Sequence, residues 1–120
     1  MRLGEINLFV RDLPRSEAFY RDALGFQRYE ESEPPGEWLK LKRDEVILLF
    51  FRAPPTAEAC GTGREPGMSA DLHVEDFDAT YAALAAAGAD LEEAQEEQGF
   101  RFVVFRDPDG IRWELLSRLT

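Results

Sequence analysis

The chain alternates between two kinds of segment, which differ in how regularly apolar residues recur. At residues 6–10 every second side chain is a large aliphatic one, which is typical of a strand with one face on a core. Residues 13–24 place apolar side chains four positions apart, as a helix does. Asp12 is suited to cap that helix, and Gly25 is suited to end it. The pattern therefore predicts a strand followed at once by a helix.

The same pattern occurs a second time further along the chain. Residues 6–13 align with residues 70–77, so that Asp76 matches Asp12 at an offset of 64 positions. A helical stretch again runs on to a glycine, Gly88. An internal repeat of this length indicates two copies of one structural unit, with helices near 13–24 and 76–87.

Three strands should follow each helix. In the second copy the last two strands meet at a Pro-Asp-Gly turn, residues 107–110, which is a strong hairpin signal. The expected strands are 26–33, 37–42 and 45–51 in the first copy, and 89–93, 101–106 and 111–117 in the second. The sequence therefore predicts a single α+β domain over residues 1–120, made of two tandem βαβββ modules that form a curved mixed sheet with a cup. Module one spans 1–52, a Pro- and Gly-rich linker spans 53–67, and module two spans 68–120.

Composition mainly excludes other classes of protein. The 120 residues are 44% hydrophobic, which is enough for one core without disulfides. A formal charge of −10 would repel a phosphate backbone, so we expect no nucleic-acid partner. The longest strongly apolar run, residues 46–51, is too short to span a membrane, and the N-terminus lacks the apolar segment of a signal peptide. Cys60 has no second cysteine to pair with, so a cytoplasmic location is expected.

Two motifs carry a family resemblance that covers nearly the whole chain. Residues 10–26 match V-x-D-L-x-x-S-x-x-F-Y-x-x-x-L-G-F at every fixed position, and residues 107–115 match D-P-D-G-x-x-x-E-L. The chain thereby resembles the vicinal-oxygen-chelate superfamily of glyoxalases, bleomycin-resistance proteins and extradiol dioxygenases. The resemblance implies the fold and a homodimer. It does not select one activity, because the fold hosts several reactions and also drug binders that catalyse nothing.

The resemblance also implies where a metal ion would bind. Its four ligand positions correspond here to Glu5, Leu48, Ser69 and Glu114. Glu114 matches the family's C-terminal glutamate, whereas Glu5 and Ser69 stand where histidines are usual, and Leu48 has no donor atom. With one histidine in the chain, imidazole-rich sites for zinc or iron are disfavoured. We therefore expect no metal cofactor, and a hard ion held weakly by Glu5 and Glu114 is the alternative.

Strand parity predicts which side chains share the cup with those four positions. The opposite faces of the strands are uniformly apolar, as faces against a helix should be. Trp38 begins an alternating strand where the family's pockets often carry an aromatic residue. The residues expected to line the cup are Glu5, Asn7, Phe9, Trp38, Val46, Leu48, Phe50, Ser69, Asp71, His73, Arg112 and Glu114.

Two functions of different classes are compatible with such a cup. The first is metal-independent binding of a small molecule, similar to drug sequestration by bleomycin-resistance proteins, and the acidic charge favours a cationic ligand. The second is a divergent glyoxalase-like lyase or isomerase, or a dioxygenase-family enzyme, in which Glu5, Glu114 and His73 act as acid and base groups. A structural alternative stays open for the polar residues: Asp71, Arg112 and Glu114 could form only a salt-bridge network, and His73 and Trp38 could serve packing.

Overall fold

The computed structural model describes residues 1–53 and 70–119. Module one consists of β1 (Ile6–Val10), α1 (Leu13–Leu24), β2 (Gln27–Glu31), β3 (Trp38–Arg43) and β4 (Val46–Arg52). Module two consists of β5 (Ala70–His73), α2 (Phe77–Ala86), β6 (Asp90–Leu91), β7 (Gln95–Glu97), β8 (Phe100–Arg106) and β9 (Arg112–Arg118).

Each module arranges its strands in one sheet with its first strand at an edge. In module one the order is β1-β4-β3-β2, with β1 parallel to β4 and the other neighbours antiparallel. Module two repeats this arrangement as β5-β9-β8-β6, again with the first strand parallel to the last. The predicted α+β fold of two βαβββ modules is confirmed.

One strand of module two differs from its prediction. Instead of a single strand over 89–93, the short strands β6 and β7 both pair antiparallel with β8. Four of the six residues 92–97 are glutamates, a residue type that is depleted in strands and repels its own kind across them. The interruption therefore falls where the sequence is least suited to a continuous strand.

Both helices begin at the predicted aspartates. Asp12 Oδ1 accepts a hydrogen bond from the Arg15 amide at 3.0 Å, and Asp76 Oδ1 accepts one from the Ala79 amide at 3.0 Å. α1 ends at Gly25, whose φ of 73° is a left-handed conformation that favours glycine. No helix within the described ranges is long and apolar enough to cross a membrane.

The core extends continuously through both modules. Tyr20 of α1 lies at its centre, where its ring contacts Phe50 of β4 at 5.0 Å and Trp113 of β9 at 6.3 Å between centroids. All three side chains are buried. Helix α1 therefore packs against the sheet of its own module and against that of module two.

A buried set of polar groups, here called the cross-module latch, joins the same two surfaces. The Tyr20 hydroxyl donates to Asp107 Oδ2 at 2.6 Å and accepts from Trp113 Nε1 at 2.9 Å. Asp109 of the same turn accepts from the Arg11 amide at 3.0 Å and from Arg15 Nη2 at 3.2 Å. The Asp-Pro-Asp-Gly turn thus fixes module two onto α1, in addition to reversing the chain.

Removing the Tyr20 hydroxyl tests the latch. Tyr20→Phe keeps the ring but removes the acceptor of the buried Trp113 N–H and the donor to Asp107 Oδ2, while Asp107 Oδ1 keeps the amides of Asp109 and Ile111. We expect a loss of about 2–4 kcal/mol in the free energy of unfolding, measured in urea. Tyr29→Phe is the matched control, because Tyr29 is 54% exposed, and it should change stability by less than about 0.5 kcal/mol. Equal stabilities for the two variants would show that the latch contributes little.

Candidate functional site

The side of each sheet that faces away from the helices carries the polar residues singled out in the sequence. On module two, Asp71 of β5 and Glu114 of β9 are register partners on adjacent parallel strands. Their neighbours Leu72, Trp113 and Leu115 belong to or pack against the core, so the two carboxyl groups project from the opposite face. Asp71 and Glu114, both expected to line the cup, therefore lie side by side.

The two carboxyl groups perturb each other. Protonated Glu114 hydrogen-bonds to Asp71, and this bond, together with partial burial and the negative charge of Asp71, raises the pKa of Glu114. Arg112 acts in the opposite direction, with Nη2 at 3.4 Å from Glu114 Oε1. Only 27% of the Glu114 side chain is exposed. The pair therefore holds a proton more readily than an isolated glutamate would.

Apolar side chains surround this pair. Val104 of β8 is the register partner of Glu114, and Phe102 is the partner of Leu116. His73 of β5 is the register partner of Leu116 of β9, and its ring meets the Phe100 ring edge-on at 6.4 Å between centroids. We call this surface the module-two face; it comprises Asp71, His73, Phe102, Val104, Arg112, Glu114 and Leu116.

Module one presents a lysine on its corresponding face. Lys40 Nζ lies 2.7 Å from Glu5 Oε1 and 3.9 Å from Glu30 Oε2, and 5.9 Å from the centroid of the Trp38 ring. The hydrogen bond to Glu5 raises the pKa of Lys40. Lys40 was not among the residues expected to line the cup, although the alternation of Trp38, Lys40 and Lys42 with the buried Leu39 and Leu41 indicates that it shares a face with Trp38.

Aromatic side chains complete this face. Phe9 stacks on Phe51, with centroids 5.5 Å apart and an interplanar angle of 22°, and Phe9 is 49% exposed. Asn7 lies two register pairs away on the same face, opposite Leu49. We call this surface the module-one face; it comprises Glu5, Asn7, Phe9, Trp38, Lys40, Leu49 and Phe51.

The prediction that Val46, Leu48 and Phe50 line the cup was wrong. Leu48 and Phe50 have no exposed surface and belong to the core, and Val46 packs against that core. β4 is apolar on both faces, so alternation along the strand could not decide which side chains point inward. The register with β1 decides it, since the outward-facing Asn7 lies opposite Leu49 and Phe9 lies opposite Phe51.

Of the four family ligand positions the structure describes Glu5, Leu48 and Glu114, and each of these has another partner or environment. Glu5 is engaged by Lys40, and Leu48 points into the core. Glu114 pairs with Asp71 and Arg112, while Ser69, like Cys60 and most of the linker, lies outside the described residues. Among residues 1–53 and 70–119, no three His, Cys, Asp or Glu side chains are grouped as ligands of one ion. The donors present do not suit zinc or iron.

The charges are also arranged differently from the expectation. Glu5, Asp71 and Glu114 were expected to converge with only Arg112, and in part His73, to offset them. Instead Glu5 forms an ion pair with Lys40, and Asp71 and Glu114 form a separate pair. The local excess of negative charge therefore lies on the module-two face.

Comparisons with known proteins agree with this architecture. The family model described as Glyoxalase/Bleomycin resistance protein/Dioxygenase superfamily matches residues 2–115. The uncharacterized protein YaeR of Escherichia coli (strain K12) is 36% identical over 129 residues, covering 98% of this chain and 96% of that protein.

Solved structures of the same fold superpose over almost the full chain. The glyoxalase family protein from Enterococcus faecalis has a TM-score of 0.79 at 23% identity, covering 96% of both chains. Fosfomycin resistance protein FosX from Mesorhizobium loti has a TM-score of 0.76 at 15% identity, covering 97% of this chain and 91% of that one. TioX from Micromonospora sp. ML1 has a TM-score of 0.74 at 21% identity, covering 99% and 98%. The chain belongs to the glyoxalase/bleomycin resistance protein/dioxygenase superfamily.

Proposed function

We propose that this protein binds a small organic molecule on the module-one and module-two faces without using a metal ion. The observation that carries the proposal is the carboxyl pair of Asp71 and Glu114, which lies among apolar side chains. A few polar anchors in a mainly apolar lining are typical of small-molecule sites. The family ligand positions that the structure describes do not present a comparable group of donor atoms to a metal ion.

The ligand proposed is a flat molecule with a basic group. A cation beside Asp71 and Glu114 would offset the negative charge of both side chains, and would stabilise both carboxylates at once. The stacked and partly exposed Phe9 and Phe51 offer a planar apolar surface to the rest of the molecule. Such a ligand fits drug sequestration of the bleomycin-resistance type better than turnover.

A second copy of the chain would complete the site. Each face is open in the single chain, and half of the Phe9 side chain is exposed. A homodimer that sets the module-one face of one protomer against the module-two face of its partner would enclose a ligand between aromatic rings and carboxylates. Symmetric dimers are the commonest oligomers.

The homodimer is tested by measuring the mass in solution. We expect twice the chain mass of 13.7 kDa, about 27 kDa, by light scattering at micromolar protein concentration. A mass near that of one chain would contradict the dimer, and would require one protomer alone to hold the ligand.

An enzymatic function is the second candidate, and the raised pKa of Glu114 favours it. A carboxyl group that stays protonated closer to neutral pH is suited to act as a general acid. A glyoxalase-like lyase or isomerase would use Glu114 in that role, with His73 further along the same face. Glu5 is less suited, since it is already engaged in an ion pair with Lys40.

Replacing Glu114 by Gln separates ligand binding from a structural role. Glu114→Gln should weaken a cationic aromatic ligand roughly tenfold or more, because it removes a charge-assisted contact. The measurement is calorimetry on ligands found by a thermal-shift screen of cationic and anionic metabolites. Glu93→Gln is the control, since Glu93 is an exposed acid of module two, and it should bind as the wild type does. If no cationic compound shifts the wild type, the binding proposal fails.

The same substitution should change how stability depends on pH. The pKa of Glu114 is raised in the folded state, so its ionised form costs stability above that pKa, and the cost disappears as pH falls through it. Glu114→Gln should therefore be more stable than the wild type at pH 8, by a few tenths to about 1 kcal/mol, and the difference should shrink toward pH 5. Urea unfolding at both pH values measures this. A variant that is less stable than the wild type at pH 8 would make Glu114 a structural partner of Arg112.

A further inference from the structure

A cavity lies between the two modules, apart from the module-one face. It has a volume of about 220 Å³ and is bounded by the end of α1, the β3–β4 turn and the edge strand β5. We call it the junction cavity; its lining residues are Leu24, Phe26, Arg43, Asp44, Val46, Asp71, Leu72, His73 and Val74. With the module-two face it shares only Asp71 and His73.

The floor of the junction cavity is apolar. Leu24 and Phe26 are 2% exposed, and Val46, Leu72 and Val74 are partly buried against the same core. A dry cavity of about 150 Å³ lined by such residues is large enough to hold a benzene ring. The floor can therefore accept a branched aliphatic or single-ring group.

The rim of the cavity carries charges of both signs. Arg43 ends β3, and Asp44 follows it in the β3–β4 turn. Asp71 and His73 border the cavity through the edge strand β5, with their side chains on the module-two face. Arg43 Nη1 donates to the Leu24 carbonyl at 2.6 Å, which holds the guanidinium at the mouth. Asp44 Oδ2 lies 3.8 Å from Arg43 Nε. One guanidinium and one carboxylate thus stand side by side at an apolar opening.

We propose that the junction cavity binds a free α-amino acid with an apolar side chain. The side chain would fill the floor between Phe26 and Leu72. The ammonium group would meet Asp44, and the carboxylate would meet Arg43. A rim of one sign only would favour a simple amine or a simple acid, whereas a mixed rim above an apolar floor complements a zwitterion.

The probes that test this inference differ by one chemical group each. L-Leucine should bind more tightly than 4-methylpentanoate, which lacks the ammonium, and than 3-methylbutan-1-amine, which lacks the carboxylate. Because the rim is exposed, each difference should be roughly two- to fivefold. Glycine, which has nothing to bury, should bind roughly tenfold or more weakly than L-leucine. Dissociation constants come from titrations followed by amide NMR shifts. If L-leucine binds no better than its three analogues, the inference is wrong.

Two substitutions locate the binding. Asp44→Asn removes the negative charge, and asparagine tolerates the left-handed backbone at this position, φ 51°. This variant should bind L-leucine two- to fivefold more weakly. Val46→Phe should fill the floor of the cavity and weaken the binding of L-leucine more than tenfold. Leu72→Phe repeats that test from the other wall, in case Val46→Phe disturbs the fold. Unchanged affinity in Asp44→Asn and in a folded cavity-filling variant would overturn the inference.

The residues whose amide signals shift distinguish binding in the junction cavity from binding on the module-one and module-two faces. L-leucine should shift the amides of Phe26, Val46 and Leu72, and Glu114→Gln should retain its binding. Shifts concentrated at Asn7, Phe9 and Leu49 would instead assign the amino acid to the module-one face and refute the junction site. Shifts of the cavity amides with protein concentration alone would show that a second copy covers the cavity, which also refutes it.

Discussion

One buried hydroxyl group sets the relation between the two halves of this protein. Tyr20 belongs to module one, yet both of its polar partners, Asp107 and Trp113, belong to module two. Burial of such groups is costly unless each is hydrogen-bonded, and in the described residues no fully buried side-chain nitrogen or oxygen lacks a partner. The modules therefore meet in an arrangement that satisfies all three groups together.

This arrangement decides which faces of the sheets are available for function. Because α1 and α2 pack against the sheets and against each other, the strand faces that meet them carry the core residues. The opposite faces carry the polar residues of the candidate site, with Lys40 and Glu5 on one sheet and Asp71 and Glu114 on the other. The positions of these two faces thus follow from how the core is shared.

The sequence was sufficient to predict the local structure wherever a physical rule allows only one outcome. Aspartate caps, a left-handed glycine and a strict alternation in β1 each permit one local structure, and the fold followed from them. The rule failed at β4, where both faces are apolar and only pairing with β1 distinguishes Leu48 from Leu49. The hydrogen bond between Tyr20 and Asp107 was not predicted either. A family motif shows which residue types recur along the chain, but it does not show which of them are in contact.

Local pairing of charges is a better guide to this site than net charge. The chain carries −10, but much of its acid lies elsewhere, as in the glutamates of residues 92–97, and Glu5 is neutralised by Lys40. Screening over about 8–10 Å at physiological salt limits the reach of distant carboxylates. What a ligand would meet on the module-two face is one carboxyl pair, partly compensated by Arg112. A preference for cations there would come from the adjacent carboxylates of Asp71 and Glu114, and the same preference would persist if every exposed glutamate of β7 were removed.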